Sequence, residues 1–169
     1  MTTIPALIGE ATKKSDLIWI ATSGGSPIVA AWHVWHDDAA YVVTGQGEQP
    51  LPPDLDVYPT CEVIVRSAEK WGRVVTWEAM VWRITPGLEE WPAVVPVLLA
   101  KRLNLPDGTA AAQRWAAQCT VFRLAPTGRV FEAGDSLPDD SGAEPPRPTP
   151  ATTEVRVPYS LGRRPRRRR

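Results

Sequence analysis

Apolar and polar positions alternate most clearly in "CEVIVRS", residues 61–67, with Cys61, Val63 and Val65 on one face and Glu62, Ile64 and Arg66 on the other. Three earlier runs also have strand length: "LIWIATS" (17–23), "IVAAWHVWH" (28–36) and "AAYVVT" (39–44). The turn signals "GGSP" and Asp37-Asp38 separate them, so they predict an antiparallel meander. "RVVTWEAMVWRI" (73–84) is a long β-branched and aromatic strand, and the short segment before it predicts a hairpin with 61–67. The period then changes. Within 86–104, Trp91, Val94, Val95 and Leu98 recur at helical spacing, with Glu89 and Glu90 at the start and Lys101 and Arg102 at the end, as the helix dipole favours. Pro92 suits a first turn, whereas Pro96 predicts that the helix begins or kinks near it. "TAAAQRWAAQ" (109–118) predicts a second helix capped by Thr109 or Asp107, and "CTVFRLAP" (119–126) returns to strand.

Five strands, a helical insertion and a sixth strand make a mainly β protein, and the order predicts a small six-stranded barrel. Such a barrel leaves edges exposed, and pairing two copies is one way to cover them. The predicted domain spans 1–132. Residues 133–169 are rich in Pro, Ser, Thr and charge, too poor in apolar area to offset chain entropy, and are expected to be disordered.

Charge sharpens this division. Over the whole chain the formal charge is zero, but residues 1–132 carry 11 basic and 14 acidic side chains, while 133–169 carry 8 and 5. The barrel is therefore mildly acidic, which argues against a domain built around nucleic acid. "RRPRRRR" at 163–169 offers a weak site for an anionic partner, with a solubilising tail as the plainer use. No run approaches the length of a membrane span, and no secretory leader is legible, so a cytoplasmic protein is expected. Cys61 and Cys119 sit in apolar strands and read as free thiols in a reducing compartment.

Candidate chemistry is sparse. His33 and His36 are three apart on a strand, hence on opposite faces, and do not form a metal pair. "TGQGEQPLPP", residues 44–53, has a G-x-G shape, but Glu48 and Gln49 follow and no helix opens after it. Arg66 ends one strand and Arg73 begins the next, so the hairpin brings two phosphate-competent guanidiniums close, with Ser67 as a hydroxyl donor. Exposed arginines flanking a turn are the bland alternative. Trp32, Trp35, Trp77 and Trp82 lie on strands, where they either wall a slot for a flat ring or pack the core.

Taken together, "LIWIATSGGSPIVAAWHVWHDDAAYVVTGQGEQPLP", "CEVIVRSAEKWGRVVTWEAMVWRI" and a helix before the last strand resemble the pyridoxamine 5′-phosphate oxidase-like split-barrel family, in particular its flavin- or deazaflavin-dependent reductases. The resemblance implies a six-stranded split β-barrel and a homodimer with FMN or the deazaflavin coenzyme in a groove between subunits. It further implies an oxidoreductase acting on a small organic substrate; the alternative is a non-catalytic binding protein for a flavin, haem or other planar ligand. By position, Thr44 and Gly45 would lie at the cofactor phosphate, Trp32 and His33 on the strand beneath the cofactor, and Arg66, Ser67 and Arg73 at the strand ends that close the groove. One departure stands out: the basic residue usual after this Thr is absent, and prolines bar the short helix that would carry it.

Overall fold

The computed structural model describes residues 4–67 and 72–137. Seven strands, β1 (Leu17–Ala21), β2 (Val29–Trp32), β3 (Val34–His36), β4 (Ala39–Gly45), β5 (Thr60–Arg66), β6 (Arg73–Ile84) and β7 (Cys119–Ala133), form one antiparallel sheet. Their order is β2-β1-β5-β6-β7-β4-β3. The two edge strands are consecutive in the chain, separated only by His33. The segment expected as one strand at 28–36 therefore serves both edges, pairing Trp32 with Leu17 on one side and Val34 with Tyr41 on the other. This curls the sheet back on itself into a split barrel; both antiparallel pairings of the predicted meander are present, but its middle strand is split at His33.

The hairpin is in the expected register, with Val65 opposite Val75 and Arg66 opposite Arg73, and a bulge between. β7 runs past its predicted end at 126 to Ala133. Pro126 and Gly128 read as stop signals, but the 12-residue β6 continues to template the chain, and irregular pairing around Trp77 accommodates the proline. Residues 138–169, most of the predicted tail, lie outside the described residues.

Three helices accompany the sheet. α1 (Ile4–Lys14) was not foreseen; its Ile8 and Thr12 are fully buried, and it packs with Leu7 and Ala11 against the barrel core. α2 (Trp91–Lys101) starts before Pro96 rather than at it. Pro96 costs the helix only its bond to the carbonyl four residues back, at Pro92 in the first turn. α3 (Ala111–Gln118) follows a short 3₁₀ turn at Gly108–Ala110, and Asp107 makes no side-chain cap there.

Two apolar clusters result. One fills the barrel with Ile18, Ile20, Val63, Val65, Trp77 and their neighbours, including Leu51 and Leu55 from the long β4–β5 loop. The other lies between the sheet's outer face and the helices, where Val43, Tyr41 and Val121 meet Val94, Leu98 and Trp115. At about 25 cal/mol per Å² of apolar area, burying such side chains is the main stabilising term. Among the described residues no helix is long and apolar enough to cross a membrane.

Candidate functional site

The loop after β4 is a packed structural element. Gly45 has φ +135° and Gly47 φ +78°, and a Cβ at Gly45 would stand 2.5 Å from the Gln118 carbonyl oxygen. Only glycine allows the chain to leave β4 this close to the start of β7. Thr44 Oγ1 donates to the Gln49 carbonyl at 2.8 Å. The Gln49 amide accepts from the Trp32 N–H at 2.7 Å and donates to the Trp32 carbonyl at 2.9 Å. Gln49 thus supplies the hydrogen bonds a neighbouring strand would give, at the point where the 29–36 segment leaves one sheet edge for the other.

Glu48 is the centre of this loop. Its side chain has 0% exposure, with Oε2 accepting from Arg102 Nε at 3.0 Å and Oε1 from Arg114 Nη2 at 3.0 Å. The Trp115 indole N–H donates to Oε1 at 2.8 Å. Arg114 also grips Asp107, Nε to Oδ2 at 2.7 Å, which holds that carboxyl below its usual range and the guanidinium firmly charged. Arg102 stacks over the Trp32 ring at 5.6 Å, and Trp32 lies 6.5 Å from Trp115. Cations therefore do reach this loop, from the end of α2 and from α3, but an internal carboxylate holds them. Sequence reasoning missed Arg102 and Arg114; the paired acid after two glycines was the only signal.

His33, the residue between β2 and β3, is completely buried. Its Nε2 lies 2.8 Å from the Thr12 carbonyl, which can only accept, so the ring donates from Nε2. Nδ1 has no partner. Burial pushes its pKa down to about 4, against a smaller upward pull from the Thr12 bond. His33 is a neutral link between α1 and the strand break.

Arg66 stands apart. Ile18 pairs with both Ala31 and Val65, all three facing inward, so Leu17, Trp32 and Arg66 share one row on the outward face. Two strand spacings put Trp32 and Arg66 about 10 Å apart along that row. The Arg66 guanidinium lies over Trp19 at 5.2 Å. Of the seven described arginines, the other six have carboxylate partners; Arg66 has none among the described residues. It and Ser67 line a cleft of about 300 Å³ with Leu7, Ala11, Ser15, Val74 and the Glu10–Lys14 ion pair. Arg73, opposite Arg66, is engaged by Glu132, Nη1 to Oε2 at 3.1 Å.

The expected site residues thus fall into two groups. Thr44, Gly45, Trp32 and His33 gather around the Glu48 loop, while Arg66, Ser67 and Arg73 sit at the turn end of the hairpin, with Trp32 common to both through its row on the sheet.

No family model matches the sequence, and no protein of curated function matches it. Among solved structures, the haem storage protein HutZ of Vibrio cholerae is similar over 78% of this chain and 94% of its own, at 15% identity and a TM-score of 0.54. The conserved protein Rv2991 of Mycobacterium tuberculosis is similar over 72% and 79%, at 15% identity and a TM-score of 0.54. A Listeria innocua protein named for pyridoxamine 5′-phosphate oxidase is similar over 76% and 98%, at 10% identity and a TM-score of 0.52. Identities this low speak to architecture alone: the chain has the split β-barrel fold of pyridoxamine 5′-phosphate oxidase-like proteins.

Proposed function

We propose that this protein binds a flavin-type cofactor, FMN or the deazaflavin coenzyme, and works as a homodimeric oxidoreductase on a small organic substrate. The observation that carries this reading is Arg66, a half-buried guanidinium without a carboxylate partner among the described residues, lining a cleft. A cation partly removed from water calls for an anion. The cofactor phosphate belongs at Arg66, with Ser67 and Arg73 beside it, and the ring belongs toward Trp32, across Leu17, which is 39% exposed. The spacing of about 10 Å along this row suits a phosphate and a ring joined by a polyol chain. Thr44 and Gly45 fit a phosphate less well, since the Thr44 hydroxyl is donated to Gln49 and the nearby cations are held by Glu48. When bound, the cofactor supplies hydride transfer, and the chain supplies orientation and electrostatics.

The test is a fluorescence titration with FMN and, separately, with the deazaflavin coenzyme. Binding of one at a Kd of about 1 μM, weakened about tenfold or more in Arg66→Ala, is expected; one lost charge-assisted contact is worth that much. Arg83→Ala, which removes an exposed pair with Asp56 and a contact over the Phe122 ring, should leave affinity unchanged. No binding of either cofactor would refute the reading.

A second reading is a holder of a planar ligand without turnover, as the haem storage protein HutZ is named. The internally neutralised loop favours it, because a phosphate is not needed there. Binding of haem in preference to both flavins, with no reductase activity, would select it.

A further inference from the structure

We propose that Arg102, Arg114 and the Trp115 indole N–H form a carboxylate-binding site whose resident ligand is the chain's own Glu48. It excludes external anions in the wild type and would take a small monocarboxylate once the Glu48 side chain is removed. The inference is independent of where a cofactor binds.

Three donors converge on two oxygens of one buried carboxylate, at 2.8, 3.0 and 3.0 Å, two on Oε1 and one on Oε2. That is the donor pattern of a carboxylate receptor. The loop that carries Glu48 is tethered rather than incidental. Gly45 and Gly47 take positive φ, the Glu48 N–H donates to the Gly45 carbonyl at 3.1 Å, and the Gln49 side chain clasps Trp32 on the far side. A Cβ at Gly47 would come within 3.2 Å of Arg114 Nη1, so the loop backbone also shapes itself to the guanidinium.

Charge fixes the ligand class. Arg102 and Arg114 contribute two positive charges, and Glu48 and Asp107 two negative ones, so the cluster is neutral as it stands. Deleting Glu48 leaves one net positive charge, which one monoanion balances and a phosphate dianion over-fills. Truncation to alanine removes the atoms beyond Cβ, which correspond to acetate. Burial of the site strengthens the preference, because an unpaired guanidinium there is costly.

The experiment is thermal unfolding of the full chain at neutral pH in sodium acetate or sodium chloride at equal ionic strength. Glu48→Ala should melt well below wild type in chloride. For an acetate Kd of about 10 mM, about 100 mM acetate multiplies its folding equilibrium about elevenfold, a rise of about 5 °C for a domain of this size. Wild type should show no difference between the salts. Nor should Glu48→Gln, whose amide still fills the space. Should Glu48→Ala not fold in chloride, refolding in acetate alone would support the proposal equally. Equal melting of Glu48→Ala in the two salts, folding in neither, or a gain in phosphate as large as in acetate would overturn it.

Discussion

Between about pH 7.5 and 5, lowering the pH should destabilise this fold mainly through one side chain. His33 is fully buried, donates from Nε2 to the Thr12 carbonyl, and has no acceptor near Nδ1. Protonation would place a charge and an unpaired donor in the interior, and the folded pKa is accordingly depressed to about 4, mainly by burial. In the unfolded chain the ring returns to about 6.5. The folded state thus resists a proton that the unfolded state accepts, so stability is full above about pH 6.5 and is lost as pH falls toward about 4. Integrating the linkage gives a loss of about 2 kcal/mol by pH 5 and about 3 kcal/mol by pH 4. With a urea m-value of about 1.5 kcal/mol/M, the loss at pH 5 lowers the midpoint by about 1.3 M. Glu62 opposes this weakly: burial and then Glu132 raise its pKa, so it adds stability as pH falls. Urea unfolding between about pH 7.5 and 5 reads the effect, with His33→Gln as comparison, since its amide can still donate to Thr12. That variant should start less stable but lose about 2 kcal/mol less over the range. A His33 resonance titrating near 6.5, or a pH slope unchanged in the variant, would refute the reasoning.

Gln49→Ala should cost about 2–3 kcal/mol in chemical unfolding, because it strands the N–H and carbonyl of Trp32 at the strand break; a cost below about 1 kcal/mol would mean that water replaces the amide there. Gly45→Ala should cost at least about 3 kcal/mol, since its Cβ meets the backbone of Gln118 and Cys119 at 2.5 and 2.7 Å; a melting temperature near wild type would contradict that geometry. Of the two thiols, Cys61 is buried, with its pKa pushed up to about 12, and should react with a disulfide reagent only on unfolding; half-buried Cys119, also raised by burial, should react slowly in the native state.

The strands were legible because their signal is local. Alternation in 61–67 and β-branched density in 73–84 mark β5 and β6 as strands, and the short segment between them makes them a hairpin without reference to the rest of the chain. The break at His33 was not legible, because no glycine or proline marks it; its cause is Gln49, 17 residues on, whose amide reaches back to Trp32. α1 carries Ile4, Leu7, Ile8 and Ala11 at helical spacing, but Pro5 and Gly9 inside the run mask the pattern. Arg102 read as a dipole-matching residue at a helix end, and Arg114 only as one position of the helix predicted at 109–118. Their convergence on Glu48 spans 54 and 66 residues and exists only once α2 and α3 pack over the sheet.

The missing cation after Thr44 takes on a different meaning in this light. The sequence lacks a basic residue there, yet the fold delivers two arginines to the same loop from other elements. At this loop an acid, Glu48, stands among cations that other elements supply. Glu48 cancels the charge that would draw a phosphate, and the indole of Trp115 completes its coordination. At the far end of the Trp32 row the balance reverses, because Arg66 leans on Trp19 with no acid of its own among the described residues. An external anion approaching this barrel meets a satisfied cluster at the loop and an unsatisfied guanidinium at the hairpin. Among the described arginines Arg66 is the one without a carboxylate partner, and the proposed flavin site rests on that contrast with the Glu48 loop.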